Sequence, residues 1–255
     1  MIFNGNDMVT TSGIINNSGI GVRKGLAIII PVYNHAETVV EVVKGCLKTD
    51  YPVFVVDDGS TDSTFERLRN IKEIFILRHR KNRGKGAAII TGFKEASRIA
   101  DWALTIDADG QHDPADIREL VRAIPFNTRP VIVGMRQGMK SSDAPWTSRF
   151  GRKFSNFWVW ASGGRFVSDS QSGFRIYPLP ETLNLKVRAK RFQFEVEVLV
   201  KAGWQNMPII EVPVSVNYKQ LGKRVSHFRP FIDFMRNSMV FTRLIFLRIL
   251  RGCYK

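Results

Sequence analysis

The sequence predicts an α/β fold, a mostly parallel sheet with helices on both faces. Three observations predict it. Short apolar runs rich in branched residues recur along the chain, stretches of helical pattern separate them, and each run ends in polar or glycine-bearing residues. Leu26–Val32 (LAIIIPV) reads as the first buried strand, with a helix from Glu37 to about Lys48 behind it. Val53–Asp58 (VFVVDD) is the second; GSTDST breaks it, and Ser60 or Asp62 can cap a helix over Ser63–Asn70. Ile74–Leu77 is the third, leading through HRKNRGKG into a helix from Ala87 to about Ile99. WALTID (Trp102–Asp107) is the fourth, followed by a helix that Pro114 begins and by a fifth strand, Pro130–Gly134. A further strand is expected over Phe174–Tyr177.

In such sheets ligands bind outside the carboxyl ends of the strands, which makes the loops there informative. After successive strands come Tyr33 and Asn34, then Asp57 and Asp58, then Asn82 to Lys85, then Asp107 and Asp109, then Arg136. All five sets are expected on one rim. Acidic groups there suit a base, a ribose or a metal ion, while Arg83, Lys85 and Arg136 suit phosphate charge. Gly84 and Gly86 would let backbone approach a diphosphate closely.

The segment Leu104–Pro114 (LTIDADGQHDP) carries the most chemistry. Residues i and i+2 of an extended chain point the same way, so Asp107 and Asp109 are expected to converge at the strand end, with the Gln111 amide oxygen near them. Three oxygen donors suit a hard divalent cation, Mg2+ or Mn2+, with positions left for a diphosphate. An Asp-rich turn is the structural alternative.

Composition bounds the function. The chain has 255 residues, 44% of them hydrophobic, with 38 Lys and Arg against 23 Asp and Glu, a formal charge of +15. That imbalance favours a polyanionic partner: nucleic acid, an anionic lipid surface or a phosphorylated substrate. Cys46 and Cys253 have no metal-ligand spacing, so neither a disulfide framework nor a zinc site is expected, and a reducing, cytosol-facing location is. No apolar run is long enough for a membrane span. Residues 1–24, rich in Asn, Gly, Ser and Thr, read as a flexible leader ahead of a domain over 25–218 and a tail over 219–255.

IIIPVYNHAETV, VVDDGSTDST, NRGKGAA and DADGQHDP, in that order and spacing, resemble the family 2 glycosyltransferases of the GT-A fold. The resemblance spans about Gly25 to Val216. It implies inverting transfer of a sugar from a nucleotide-diphosphate donor, such as a UDP- or GDP-sugar, with a divalent metal on the diphosphate. It also implies that Pro31, Tyr33 and Glu37 line the nucleoside pocket, that Asp57 and Asp58 bind base or ribose, and that Asp107 and Asp109 hold the metal, with Gln111 able to join them. Relatives often carry Glu where His35 stands, which leaves the donor's identity open.

SDSQSGFRIYP (Ser168–Pro178) resembles the acceptor-side segment of the dolichyl-phosphate mannose synthase and polyprenyl-phosphate glycosyltransferase branch. A lipid phosphate is already anionic, so its transfer needs positioning and charge neutralisation in place of a strong base. Arg136, Arg149 and Arg175, with Ser172, are assigned to that phosphate. Asp109, Arg136, Arg175 and Glu195 are the candidate catalytic residues. If the acceptor is a sugar hydroxyl, a carboxylate base becomes necessary, and Glu195 of FQFEVEV is the first choice, with Glu197 and Asp169 as further candidates.

Residues 219–255 hold nine Lys and Arg and one acid, Asp233. A helix after Pro230 would have a broad apolar face flanked by Arg236, Arg243, Arg248 and Arg251. Such helices lie in membrane interfaces, so an anionic membrane surface is an expected partner and a peripheral place on the cytoplasmic face the expected location. Packing on the chain's own domain is the alternative. A nucleotidyltransferase would carry a Gly-rich basic signature where PVYNHAET stands. A nucleic-acid-binding module is not expected, because the basic residues concentrate in an apolar helix with no recognition motif. Oligomeric state is left open.

Overall fold

The computed structural model describes residues 25–137, 146–216 and 230–252; within these, only the backbone is described at 146–150, 230–233 and 251–252. The proposed leader, and residues 219–229 of the tail, lie outside the described residues.

Strands β1 (Leu26–Val32), β2 (Val53–Asp57), β3 (Ile74–Arg78) and β4 (Trp102–Thr105) alternate with helices α1 (Val39–Leu47), α2 (Thr64–Leu68) and α3 (Lys85–Ala96). A 3-10 turn at Pro114–Asp116 then runs into α4 (Ile117–Arg122), followed by β5 (Val131–Arg136), α5 (Trp146–Ala161), β6 (Arg175–Pro178) and α6 (Glu181–Asn184). Helix α7 (Phe194–Trp204), β7 (Ile209–Val214) and α8 (Pro230–Gly252) complete the described order. The seven strands form one sheet, ordered β3-β2-β1-β4-β6-β5-β7. Only β6 runs against its neighbours, antiparallel to both β4 and β5. The carboxyl ends of the other six strands therefore share one edge. Strand order reverses about β1, which pairs with β2 on one side and β4 on the other.

All seven residues of β1 are buried, because helices cover both faces of the sheet. Ala27 and Ile29 pack into one core with α3, α7 and Phe241 and Leu244 of α8. Ile28 and Ile30 face the other, with Val39, Val42 and Val43 of α1 and Ile117 and Leu120 of α4. Each such fully buried side chain contributes roughly 1.5–3 kcal/mol relative to exposure.

One local detail chooses between the sequence's alternatives and two differ from its expectation. Of the two capping candidates, Asp62 is the one that reaches helix α2: its carboxylate accepts from the Thr64 amide at 3.0 Å, while Ser60 Oγ accepts from the Asn34 amide. Helix α3 starts two residues early, at Lys85: the Gly84 carbonyl accepts the Ala88 amide, and the Ala87 amide is met by the carbonyls of Gly84 and, from outside the helix, Lys190. Strand β4 stops at Thr105, so Asp107 and Asp109 lie in the loop beyond it.

Candidate active site

Side chains stitch the strand-end loops into a continuous rim. Asn34 at the end of β1 receives the Thr61 amide from the β2 loop at 2.8 Å. Thr38 Oγ donates to the Ala108 carbonyl in the β4 loop at 2.6 Å. Pro31 is buried in β1 opposite Val56, Tyr33 is half-buried just beyond the strand, and Glu37 is exposed before α1.

Asp57 and Asp58 turn inward. Asp57 is fully buried; one oxygen accepts from the Ser60 amide at 2.8 Å and the other lies 3.1 Å from Arg78 Nε. Asp58 is 2% exposed and accepts from His79 Nδ1 (2.6 Å) and from the backbone amides of Arg83 (2.9 Å) and Gly84 (2.7 Å). These oxygens build the loops. In this arrangement both carboxylates are engaged by donors of the chain's own loops.

The Arg83–Lys85 turn is fixed by its surroundings. Gly84 has φ +101°, and a Cβ there would strike the Lys190 carbonyl, while one on Gly86 would press on Ala189, Arg191 and Phe194. The glycines thus make room for the chain's own backbone, a different reason from the diphosphate approach expected of them. Arg83 is exposed, and Lys85 opens α3 with its ammonium 2.7 Å from both Asp107 Oδ1 and Glu195 Oε1. Burial alone would lower the Lys85 pKa; the two carboxylates outweigh it and raise it well above the ordinary lysine value. Partial desolvation would raise the Asp107 pKa, but the same ammonium outweighs it and holds the carboxyl below the ordinary range.

The β4 loop does not present Asp107 and Asp109 as a period-two pair. Ala108 and Asp109 occupy a turn, so the extended-chain argument for their convergence fails. Asp107 points to Lys85. Asp109 accepts from the Gln111 amide at 3.1 Å and from Gln111 Nε2 at 2.7 Å, so it is the side-chain nitrogen of Gln111, in place of the expected oxygen, that meets the carboxylate. Among the described residues no group of three or more His, Cys, Asp or Glu converges as a metal cage. Gly173 is packed so closely here that a Cβ would strike Asp107 and Lys85. His112 is buried against Phe174, ring centroids 5.0 Å apart, and burial pushes its pKa down to about 4.

On the acceptor side, Arg136 ends β5 and forks onto the buried Asp169, Nε to Oδ2 at 2.7 Å and Nη2 to Oδ1 at 2.8 Å. Burial pushes the Asp169 pKa up, but the guanidinium overcomes this and holds it below the ordinary carboxylate value. Asp169 is thus the residue that orients Arg136. Arg149 lies in α5, where only the backbone is described.

Arg175 corrects a sequence expectation. It is fully buried, and its guanidinium donates to the carbonyls of Ser172 (2.7 Å), Ser170 (2.7 Å) and Glu195 (2.9 Å). A cation committed to three carbonyls inside the protein braces the Ser168–Phe174 loop against α7 and does not reach an acceptor phosphate. Ser172 is corrected likewise, being buried with its hydroxyl accepting from the Phe174 amide at 3.3 Å. Glu195, at the start of α7, is 3% exposed and already paired with Lys85.

Two supports of this loop were not anticipated. Asn156 of α5 donates to the Ser168 carbonyl and accepts the Ser170 amide, and Glu211 of β7 receives the Ser168 amide and hydroxyl. Asn156 acts from helix α5 and Glu211 from strand β7, and no local pattern in the sequence marks them.

An α/β sheet with a reversal at β1 and acidic and basic side chains on the carboxyl rim agree with the glycosyltransferase architecture that the sequence motifs imply. The chain belongs to glycosyl transferase family 2, whose model matches residues 27–182. Similar proteins include the UDP-N-acetylglucosamine–dolichyl-phosphate N-acetylglucosaminyltransferase of Methanococcus voltae, 32% identical over 77% of this chain and 87% of the relative. The dolichyl-phosphate beta-glucosyltransferase of Dictyostelium discoideum is 27% identical, over 90% and 76%. Among solved structures, mannosyl-3-phosphoglycerate synthase from Rubrobacter xylanophilus superposes with a TM-score of 0.61 at 16% identity, covering 91% of this chain and 75% of that one. A mannosyltransferase from Pyrobaculum calidifontis, in complex with GDP-Man and Mn2+, gives 0.53 at 17% identity, over 76% and 56%. These two likenesses are of fold.

Proposed function

We propose that this enzyme transfers a sugar, with inversion, from a nucleotide-diphosphate sugar to a polyprenyl phosphate of the dolichyl type. The relatives whose names specify dolichyl phosphate support the acceptor class. The observation that carries the choice of phosphate over hydroxyl is the state of Glu195. A general base needs access to the proton it takes. Glu195 is buried, and Lys85 neutralises it at 2.7 Å. A lipid phosphate needs no base: its oxygen attacks the anomeric carbon while the bond to the nucleoside diphosphate breaks. The protein's task is then to align the two and balance their charge, with Arg136 and Arg149 the assigned partners of the acceptor phosphate.

The nucleoside is assigned to Pro31, Tyr33 and Glu37 at the end of β1, and the donor's charge to Arg83 and Lys85. A divalent cation of the Mg2+ or Mn2+ type is assigned to the β4 loop: Asp107 and Asp109 are partly exposed carboxylates that Lys85 and the Gln111 side-chain nitrogen would have to release, and two protein carboxylates suit an ion that retains water and phosphate ligands. Such an ion would neutralise charge on the leaving diphosphate.

We assign an anionic membrane surface as a partner of α8. One face of that helix packs on the domain through Phe241 and Leu244, while Met239 (70% exposed), Phe246 (61%) and Ile249 (58%) form an apolar outer stripe. The basic flank is smaller than the sequence suggests, because Arg243 pairs with Glu197 and Arg248 donates to the Ala161 carbonyl. No helix among the described residues is long and apolar enough to cross a membrane. Replacing Met239 and Phe246 together by Glu is expected to release the protein from anionic vesicles; unchanged binding removes this partner.

The deciding experiment supplies radiolabelled UDP-N-acetylglucosamine, UDP-glucose and GDP-mannose in turn, with polyprenyl phosphate in vesicles. A labelled lipid that mild acid cleaves is expected. Label in an acid-stable lipid glycoside would assign a hydroxyl acceptor instead.

A further inference from the structure

Glu197 has no part in the transfer described above, yet it joins distant parts of the chain. Its side chain is fully buried in α7. One carboxylate oxygen accepts the Arg188 amide at 3.1 Å and lies 2.9 Å from Lys201 Nζ. The other accepts the Ala189 amide at 2.9 Å and Arg243 Nη2, from α8, at 2.7 Å. One side chain therefore fastens residues 188 and 189 to α7 and fastens α8 to both.

The same short segment abuts the start of α3. The Lys190 carbonyl accepts the Ala87 amide at 2.9 Å, and the carbonyls of Ala189 and Lys190 occupy the space that side chains on Gly86 and Gly84 would need. Asp58 in turn holds the Arg83 and Gly84 amides. The turn carrying Arg83 and Lys85 is thus gripped between two buried carboxylates. Asp58 belongs to the rim itself. Glu197 depends on α8, from the far end of the chain.

We propose that Arg243 is a positioning residue for the donor site: by pairing with Glu197 it holds segment 188–191, and through it the Gly84–Lys85 turn, in the geometry that receives the donor's diphosphate. The last clause rests on the donor assignment made above; the mechanical link does not. Removing the guanidinium leaves Glu197 with one fewer donor and frees it to swing toward Lys201, which slackens its hold on the two amides.

Arg248 supplies the control, since it anchors the same helix elsewhere, donating to the Ala161 carbonyl at 2.9 Å. Backbone hydrogen exchange, nucleotide-sugar binding and steady-state transfer are measured on the full chain and on Arg243→Ala, Arg243→Lys and Arg248→Ala. In Arg243→Ala, amides of residues 84–88 and 188–190 are expected to exchange about tenfold faster. The donor KM should rise about three- to tenfold with kcat changed less than about twofold. Arg243→Lys restores most of both, and Arg248→Ala leaves both near wild type. Unchanged exchange in Arg243→Ala overturns the proposal. So does an equal change in Arg248→Ala, which would make helix docking in general responsible. Should Arg243→Ala fail to fold, Arg243→Gln carries the same comparison. If none of the three nucleotide sugars binds the wild-type chain, the donor assignment fails, and the exchange data still decide the link.

Discussion

Two pairs of carboxylates, Asp57 with Asp58 after β2 and Asp107 with Asp109 after β4, look alike in sequence and differ in the fold. The first pair is 0% and 2% exposed and is consumed mainly by backbone amides. The second is partly exposed, Asp107 at 27%, and its partners include the ends of two long side chains, Lys85 and Gln111, beside one backbone amide. Amides fixed in a loop cannot leave their acceptor without the loop moving. An ammonium or a side-chain amide can rotate away when a better partner arrives. A carboxylate held by backbone is scaffold, and one held by long side chains is available for exchange with a ligand.

That contrast can be broken by substitution. Asp58→Ala removes the acceptor of two amides and of His79, and a stability loss of about 3–5 kcal/mol is expected from the orphaned donors, read as a lowered urea midpoint. Asp109→Asn is expected to behave oppositely, with thermal stability nearly unchanged and metal-supported transfer down about a hundredfold, roughly 2.7 kcal/mol in the barrier. Similar stability losses in both variants would erase the distinction.

Asp169→Asn sharpens it on the acceptor side. Because Arg136 holds the Asp169 carboxyl below its unfolded value near 4, the folded state binds fewer protons there, and the pair's stabilisation is present above about pH 4 and lost as the pH falls through the lower folded value. The variant should therefore be less stable than wild type at pH 7, by about 1–3 kcal/mol, and converge on it in acid. Parallel curves down to acid would argue against the pairing. The smallest effect is expected from Glu195→Gln, which keeps the side chain's shape and weakens only its hold on Lys85: a fall in transfer of less than about tenfold. A thousandfold fall would return Glu195 to the role of base and the acceptor to a hydroxyl.

Much of the fold was legible because burial on both faces of a parallel sheet leaves continuous apolar runs, and every strand named from such a run is present within two residues of its expected ends. Order along the chain also placed the candidate residues on one rim. Direction was not legible. Period two oriented Asp107 and Asp109 only while the strand was assumed to continue, and β4 ends before either. Arg175 lies within the acceptor-like segment and reads as a phosphate ligand, yet three carbonyls from residues 170, 172 and 195 claim it.

The sequence by itself determined the alternation of strands and helices, the family-like motif order and the placing of charge at strand ends, since each depends on residues close along the chain. Only the tertiary structure decided which charges face inward. That choice depends on donors and acceptors tens of residues away: Asp58 on Gly84, Lys85 on Glu195, Arg136 on Asp169 and Glu197 on Arg243. A buried charge is tolerated only where such partners meet it, and the sequence does not state who the partners are.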